Sequence, residues 1–278
     1  MKKIFSFILI LINFVSLFLL CIIININMLT KEKNISKLTN KINYLDYVNI
    51  DSKSEIGDIY DNIYLELQDS LTSKEISIIY DSKYIRKVTS KIIYDGVSLL
   101  LYNKNYKLTT NYLNDKFDSN NTRIDNAVRK INYNFVTINN IVKYRVSSIS
   151  INKTNLIRFL FKPGTKVILL TLIILSIIIL YLLNGEKILK IIFVPAIICG
   201  LLDILIAITI PIFLKYIYKD LFVIKFLNVF IKEFGNRLFI YGIVIIFISI
   251  IYLLINDRLE EKIKIVVKPK LKKIKSVK

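Results

Sequence analysis

The sequence contains no histidine, and that one absence removes much of enzyme chemistry. Ser-His-Asp and Cys-His catalysis, histidine-ligated zinc and histidine phosphorelays all need an imidazole. Cysteine is scarce as well: Cys21 and Cys199 are the only two, and both lie inside apolar runs. They offer neither a disulfide scaffold nor a cysteine zinc site. Seven glycines are scattered without a GxGxxG or GxxxxGK[ST] spacing, so nucleotide-binding loops have no footing. Tryptophan is missing too, which leaves 17 tyrosines to fill the core and the membrane interface in its place.

What is present is a contradiction that only segregation resolves. Of 278 residues 54% are apolar, with a mean hydropathy of +0.52, yet 40 Lys/Arg face 21 Asp/Glu for a net charge of +19. A soluble chain that apolar would bury its charges or aggregate; a membrane protein keeps the two kinds of residue in different segments. A span needs about 20 apolar residues to cross a hydrocarbon layer roughly 30 Å thick. Four stretches have that length: Ile4–Met28, 167–183, 191–214 and 238–255.

The first opens with Met1-Lys2-Lys3, as a secretory signal does, but its apolar run is long and the first alanine in the chain is Ala127. A cleaved signal wants small residues at the cut. Residues 1–28 are therefore expected to remain as a signal anchor. Orientation follows from basic residues in short flanking loops. Lys2 and Lys3, then Lys187 and Lys190, then a tail with nine Lys/Arg against two Glu from Arg258 onward all fall on one side of a four-span chain. Both termini are expected in the cytoplasm of a cell-membrane protein, with residues 29–164 outside. That outer segment carries 21 Lys/Arg against 14 Asp/Glu, and long loops translocate largely regardless of charge.

Between Thr30 and Lys162 there is no proline and only Gly57 and Gly96, too few turn residues for a strand protein. Helical spacing is plentiful. Ile35, Leu38, Ile42 and Leu45 follow a 3-4-3 pattern; Ile56, Ile59, Ile63 and Leu67 repeat it; Ile85, Val88, Ile92, Gly96 and Leu99 form a third face. The longest set is Ile124, Val128, Ile131, Phe135, Ile138 and Val142. Thr72 and Glu75 have capping-box spacing, and Asp81-Ser82 and Thr109 are good N-caps. The expected organisation is an all-α integral membrane protein: a 1–28 anchor, a 29–164 extracytoplasmic helical domain, three further spans within 165–256 and a basic cytoplasmic tail at 257–278. The stretch 215–237 is too charged to span and too apolar to float free. Lys225, Asn228, Lys232 and Asn236 form one polar stripe on it, which predicts an interfacial helix near 216–234, with packing beneath the outer domain as the competing reading.

Leu71-Thr-Ser-Lys-Glu-Ile76 opening a short helix, the run Asp81–Tyr94 and the helix start at Leu108-Thr-Thr110 complete this layout. The chain resembles a group of uncharacterised multi-pass membrane proteins of AT-rich Gram-positive bacteria: one anchor, a helical outer domain, three spans. The resemblance implies an architecture and no activity.

Asp203 is the one charge inside the third span. A carboxylate at mid-span costs roughly 2.5–3.5 kcal/mol on insertion scales, so it faces the bundle interior and seeks a partner. Ala196, Cys199/Gly200, Asp203 and Ala207 share its helix face, and small residues there let another helix come close. The expected partner is Asn13, Thr171, Ser176 or Ser249; the functional alternative is an ion or proton relay. In the tail, Lys268, Lys270, Lys272, Lys273 and Lys275 are candidates for contact with anionic lipids. No spacing isolates an acid/base couple, a cofactor loop or a metal site, and the tail lacks the aromatic interleaving of a nucleic-acid surface. The expectation is a non-enzymatic envelope interaction or sensing component that binds the bilayer and a protein partner, with a small transporter or channel subunit built on Asp203 as the rival.

Overall fold

The computed structural model describes residues 2–47, 55–117, 119–185, 188–217 and 221–275. It is 87% helical, with no strand among the described residues. In chain order the helices are α1 (Lys2–Leu29), α2 (Glu32–Thr39), α3 (Glu55–Gln68), α4 (Ser73–Tyr80), α5 (Lys83–Tyr102) and α6 (Thr110–Asn114). They continue with α7 (Thr122–Ser147), α8 (Ile151–Phe161), α9 (Pro163–Asn184), α10 (Ile188–Ile217) and α11 (Leu221–Lys275). A 3-10 turn, Tyr44–Tyr47, follows α2. Four helices are long and apolar enough to cross a membrane: Lys2–Leu29, Pro163–Asn184, Lys190–Phe213 and Leu227–Asn256. The chain divides into two compact units, one holding most of these spans and one formed by residues 23–165 with 209–234.

In the helical unit, α5 and α7 are the central pair. α5 packs against α2, α7 and α8, and α7 also packs against α3, α4 and α6. The long periodic face of α7 explains this: Ile124, Val128, Ile131, Phe135 and Ile138 are all buried, and Val142 packs at the edge of the same core. Gly96 on α5 lets the two helices close up, because a Cβ there would stand 2.6 Å from Val142 Cγ1. Side-chain caps hold the helix starts. The Thr72 hydroxyl accepts from the Glu75 amide while the Glu75 carboxylate accepts from the Thr72 N–H at 2.8 Å, a complete capping box. Glu75 is held below the usual carboxylate range by those Thr72 hydrogen bonds. Ser82, Thr109 and Asn121 cap α5, α6 and α7 in the same manner.

The other end of α5 is closed differently. Asn103 takes a left-handed conformation, φ 56°, and stops the helix. Arg158 on α8 then donates from Nε to the Leu100 carbonyl at 3.2 Å and from Nη2 to the Leu99 carbonyl at 3.1 Å. Two of the carbonyls that a helix C-terminus leaves without partners are thereby satisfied. Buried polar side chains of this unit are also tied together. The Tyr84 hydroxyl donates to Asn132 Oδ1, and Asn132 Nδ2 donates to Asn114 Oδ1 at 2.6 Å. Burial pushes the Tyr84 and Tyr80 hydroxyls well above the usual phenol range, so both rings stay neutral.

The stretch near 216–234, expected as an interfacial helix, is shared between two long helices. Residues 216 and 217 end α10, residues 221–234 form the start of the continuous helix α11, and 218–220 lie outside the described residues. No proline interrupts 221–268, and the one glycine at the boundary, Gly235, is tolerated within the helix. Val229 and Phe230 pack on the core of the helical unit, whereas Asn228, Lys232 and Asn236 stay exposed. Glu233 pairs with Lys41 at 3.4 Å, a partly exposed bridge of small energetic weight. α11 also runs on into the expected tail as far as Lys275.

The other unit holds residues 1–22, 166–208 and 235–278. Within it α1 and α9 pack through Leu9 and Leu180. Asn13 Nδ2 donates to Ser176 Oγ at 2.9 Å, and Asn184 Nδ2 to Ser6 Oγ at 3.4 Å. Such hydrogen bonds across apolar helices are the usual polar cement of membrane bundles. Gly185, φ 59°, ends α9 in the left-handed region that a glycine adopts without strain. Only 17–22% of each spanning window is buried, so most of the lateral surface is exposed aliphatic side chain, suited to lipid.

Candidate functional site

α10 carries the candidate site because its sequence places small residues and one acid on a single face. Gly200 meets α11 directly: a Cβ on Gly200 would stand 2.7 Å from the Gly242 carbonyl oxygen and 2.8 Å from Ile246 Cγ1. One heptad on, a Cβ on Gly235 would stand 3.0 Å from the Ala207 carbonyl oxygen. Gly200 with Gly242 and Ala207 with Gly235 thus form two rungs of an antiparallel backbone contact. Ala196 is half-buried on the same helix, one turn before Gly200. Phe193 stacks on Tyr252 with ring centroids 4.9 Å apart and planes 8° apart, closing the far end of this pair.

Asp203 lies between the two rungs and is 0% exposed. Its Cβ packs 3.4 Å from the position a Gly242 Cβ would take. Neither carboxylate oxygen has a hydrogen-bond partner among the described residues. The partners expected from the sequence are engaged elsewhere or silent: Asn13 and Ser176 bond each other, and Ser249 Oγ donates to its own helix at Ile245 O, 2.7 Å. What faces the carboxylate instead is the thiol of Cys21 on α1, near but outside hydrogen-bond geometry, with the buried Cys199 one turn away. The arrangement is a closed, small-residue helix contact holding one acid with open acceptor sites and two thiols. It can hold a cation or a proton; it has no paired base for acid–base catalysis. No group of three or more His, Cys, Asp or Glu able to hold a metal occurs among the described residues.

The sequence pointed to Asp203, Ala196, Gly200 and Ala207, and the structure brings Gly200, Asp203 and Ala207 to one helix contact. Gly235 and Gly242 were missed, although their seven-residue spacing matches that of Gly200 and Ala207 and was there to be read. Cys21 was missed because nothing in a sequence says which turn of α1 faces α10. The side chains of Lys268, Lys270, Lys272, Lys273 and Lys275 lie outside the described residues. No family model, no curated protein and no solved structure matches the chain.

Proposed function

We propose that this chain is a non-enzymatic interaction or sensing component of the cell envelope. In this reading it is a multi-pass protein of the cell membrane with both termini in the cytoplasm and its helical unit outside. The distribution of basic residues supports the orientation, since Lys2, Lys3, Lys190 and the tail fall on one side of four spans. The observation that carries the binding role is the outer face of α7. Tyr133 and Tyr144 are 70% and 71% exposed, three turns apart, with Thr137, Asn140 and Ile141 between them. The opposite face of the same helix is the core of the unit, so this stripe is rigid. A rigid face with exposed tyrosines is the composition of a protein–protein contact, where rings bury much area at small entropic cost. The occupant in this reading is an envelope protein. A photo-crosslinking residue at position 144 should give one discrete adduct in intact cells, while the same residue at position 74, exposed on α4, gives none. Equal labelling at both, or at neither, would remove the reading. Reporter fusions near Asn120 should report outside, and fusions after Asn184 and Lys278 inside.

One observation favours a transporter or channel subunit instead: the two unpartnered oxygens of Asp203 inside the span. Asp203→Asn keeps the shape and removes the charge. A lost ion or proton flux in proteoliposomes, with folding intact, would favour this second reading over the first.

A further inference from the structure

A cavity of about 300 Å³ opens in the helical unit between α2, α5 and the end of α6. α2 presents Glu32, Lys33 and Ser36 to it, α5 presents Lys87, Ser90 and Lys91, and the α6 end adds Tyr112 and Lys116. Four ammonium groups therefore share one concavity with a single carboxylate. Lys91 is already committed: it pairs with the buried Asp95 at 3.3 Å and lies over the Tyr106 ring at 4.3 Å. Lys116 lies 5.3 Å from the Tyr112 ring centroid, a cation–π contact that leaves its charge uncompensated. Lys33 and Lys87 have no ion-pair partner among the described residues. Like charges gathered in a cleft repel one another and focus a positive potential, and a bound anion relieves both. The hydroxyls of Ser36, Ser90 and Tyr112 add neutral donors between them, and Ser90 is itself buried in the wall.

We infer that this cavity binds a phosphate-bearing anion. Lysine acts on phosphate as a point charge from several directions, and hydroxyl donors complete the oxygens' coordination. The volume sits at the lower end of ligand pockets and fits a phosphodiester or diphosphate head rather than an extended polymer. Lys33 lies four residues beyond Leu29, the end of α1, so the chain alone keeps it within about 14 Å of that helix end. A lipid headgroup and a soluble phosphate compound are both within reach of such a site, and they share the chemistry that it reads. The site rests on the binding role given to the helical unit, but not on the tyrosine face of α7.

The test is lysine acetylation of the full-length protein in neutral detergent, read residue by residue by mass spectrometry. Three additions are compared: pyrophosphate, phosphatidylglycerol in the micelles, and sodium chloride at matched ionic strength. Protection of Lys33, Lys87 and Lys116 by either phosphate probe, with Lys130 on α7 unprotected, is the expected result. Protection by pyrophosphate alone assigns a soluble anion, by phosphatidylglycerol alone a headgroup, and by both a site open to either. Lys87→Ala, at an exposed position, should raise the half-protecting concentration by about tenfold, the worth of one hydrogen bond to a charged group. The inference is overturned by protection from neither probe, by equal protection from chloride, by equal protection of Lys130, or by an unchanged Lys87→Ala. A crosslink at position 144 that survives in Lys87→Ala would keep the protein-binding reading separate from this result.

Discussion

Gly200 and Gly242 each place a carbonyl oxygen where the other's Cβ would be, at 2.7 Å from Gly200 and 2.5 Å from Gly242. The obstacle on both sides is backbone, which cannot swing aside as a side-chain tip can. Gly200→Ala and Gly242→Ala should each destabilise the spanning unit by about 1–3 kcal/mol, the usual cost of overpacking. Gly164→Ala is the matched control, since nothing lies within 4 Å of a Cβ there. It should be neutral or stabilising, because alanine is the better helix former. Thermal unfolding in detergent separates the three. A Gly164 variant that melts with the other two would mean that the contact is not tight.

Ile131 and Ile138 are 0% and 2% exposed on α7, and both belong to the same core cluster of the helical unit. Truncation of either to alanine should cost about 2–5 kcal/mol, a large part of the 5–15 kcal/mol that holds a typical domain. Lys130 immediately precedes Ile131 in sequence but lies on the exposed side, and Lys130→Ala should stay within about 0.5 kcal/mol. Protease resistance of the helical unit in intact cells is the readout. Rapid degradation of the lysine variant beside intact isoleucine variants would invert the assignment of faces.

Arg158 supports the C-terminus of α5 through the Leu99 and Leu100 carbonyls. Arg158→Met keeps the stem and removes the donors, so it should destabilise the unit by about 1–3 kcal/mol. Arg158→Lys should rescue little, because an ammonium lacks the planar fork that reaches two adjacent carbonyls. A lysine variant as stable as the wild type would show that charge, not geometry, closes this helix.

The local half of the fold was legible and the pairwise half was not. Hydropathy alone located the four spans, and the 4-3-4-3-4 spacing of Ile124 to Val142 marked the buried face of α7. Thr72 and Glu75 declared their capping box, since all of its atoms lie within one turn. Periodicity says which face of a helix is apolar, but not what covers it. Hence Asp203 was recognised as a buried acid while its neighbour Cys21 was not, and Val229 and Phe230 read equally well as lipid-facing or core-facing. α8 escaped notice because Ile151, Leu156 and Phe159 are exposed and its one strong tertiary anchor, Arg158, is polar. The cavity beside Lys33 and Lys87 needed α2 and α5 side by side, which the 43 residues between Thr39 and Lys83 conceal.

Asp95 supplies a pH dependence with a defined sign. Its carboxylate is fully buried on α5, raised above the ordinary 3.8 by burial and by Glu32 of α2, and opposed by Lys91 and by Lys143 of α7. Tyr106 faces the same cluster, and burial lowers Lys143 in turn. With its folded value above its unfolded one, Asp95 binds more protons in the folded state between the two. Its contribution to stability is therefore fullest below 3.8, falls as pH rises through the raised folded value, and is flat beyond. Glu75, lowered by its Thr72 hydrogen bonds, has the opposite sign: its contribution is present above the ordinary carboxylate range and fades on acidification. Asp95→Asn removes the first dependence and leaves the second. Measured against wild type by thermal unfolding of the full chain in detergent, the variant should do relatively better at pH 7 than at pH 4. If it instead loses more at pH 7, the Lys91 ion pair outweighs the burial of the carboxylate, and the charge at this position stabilises the helical unit.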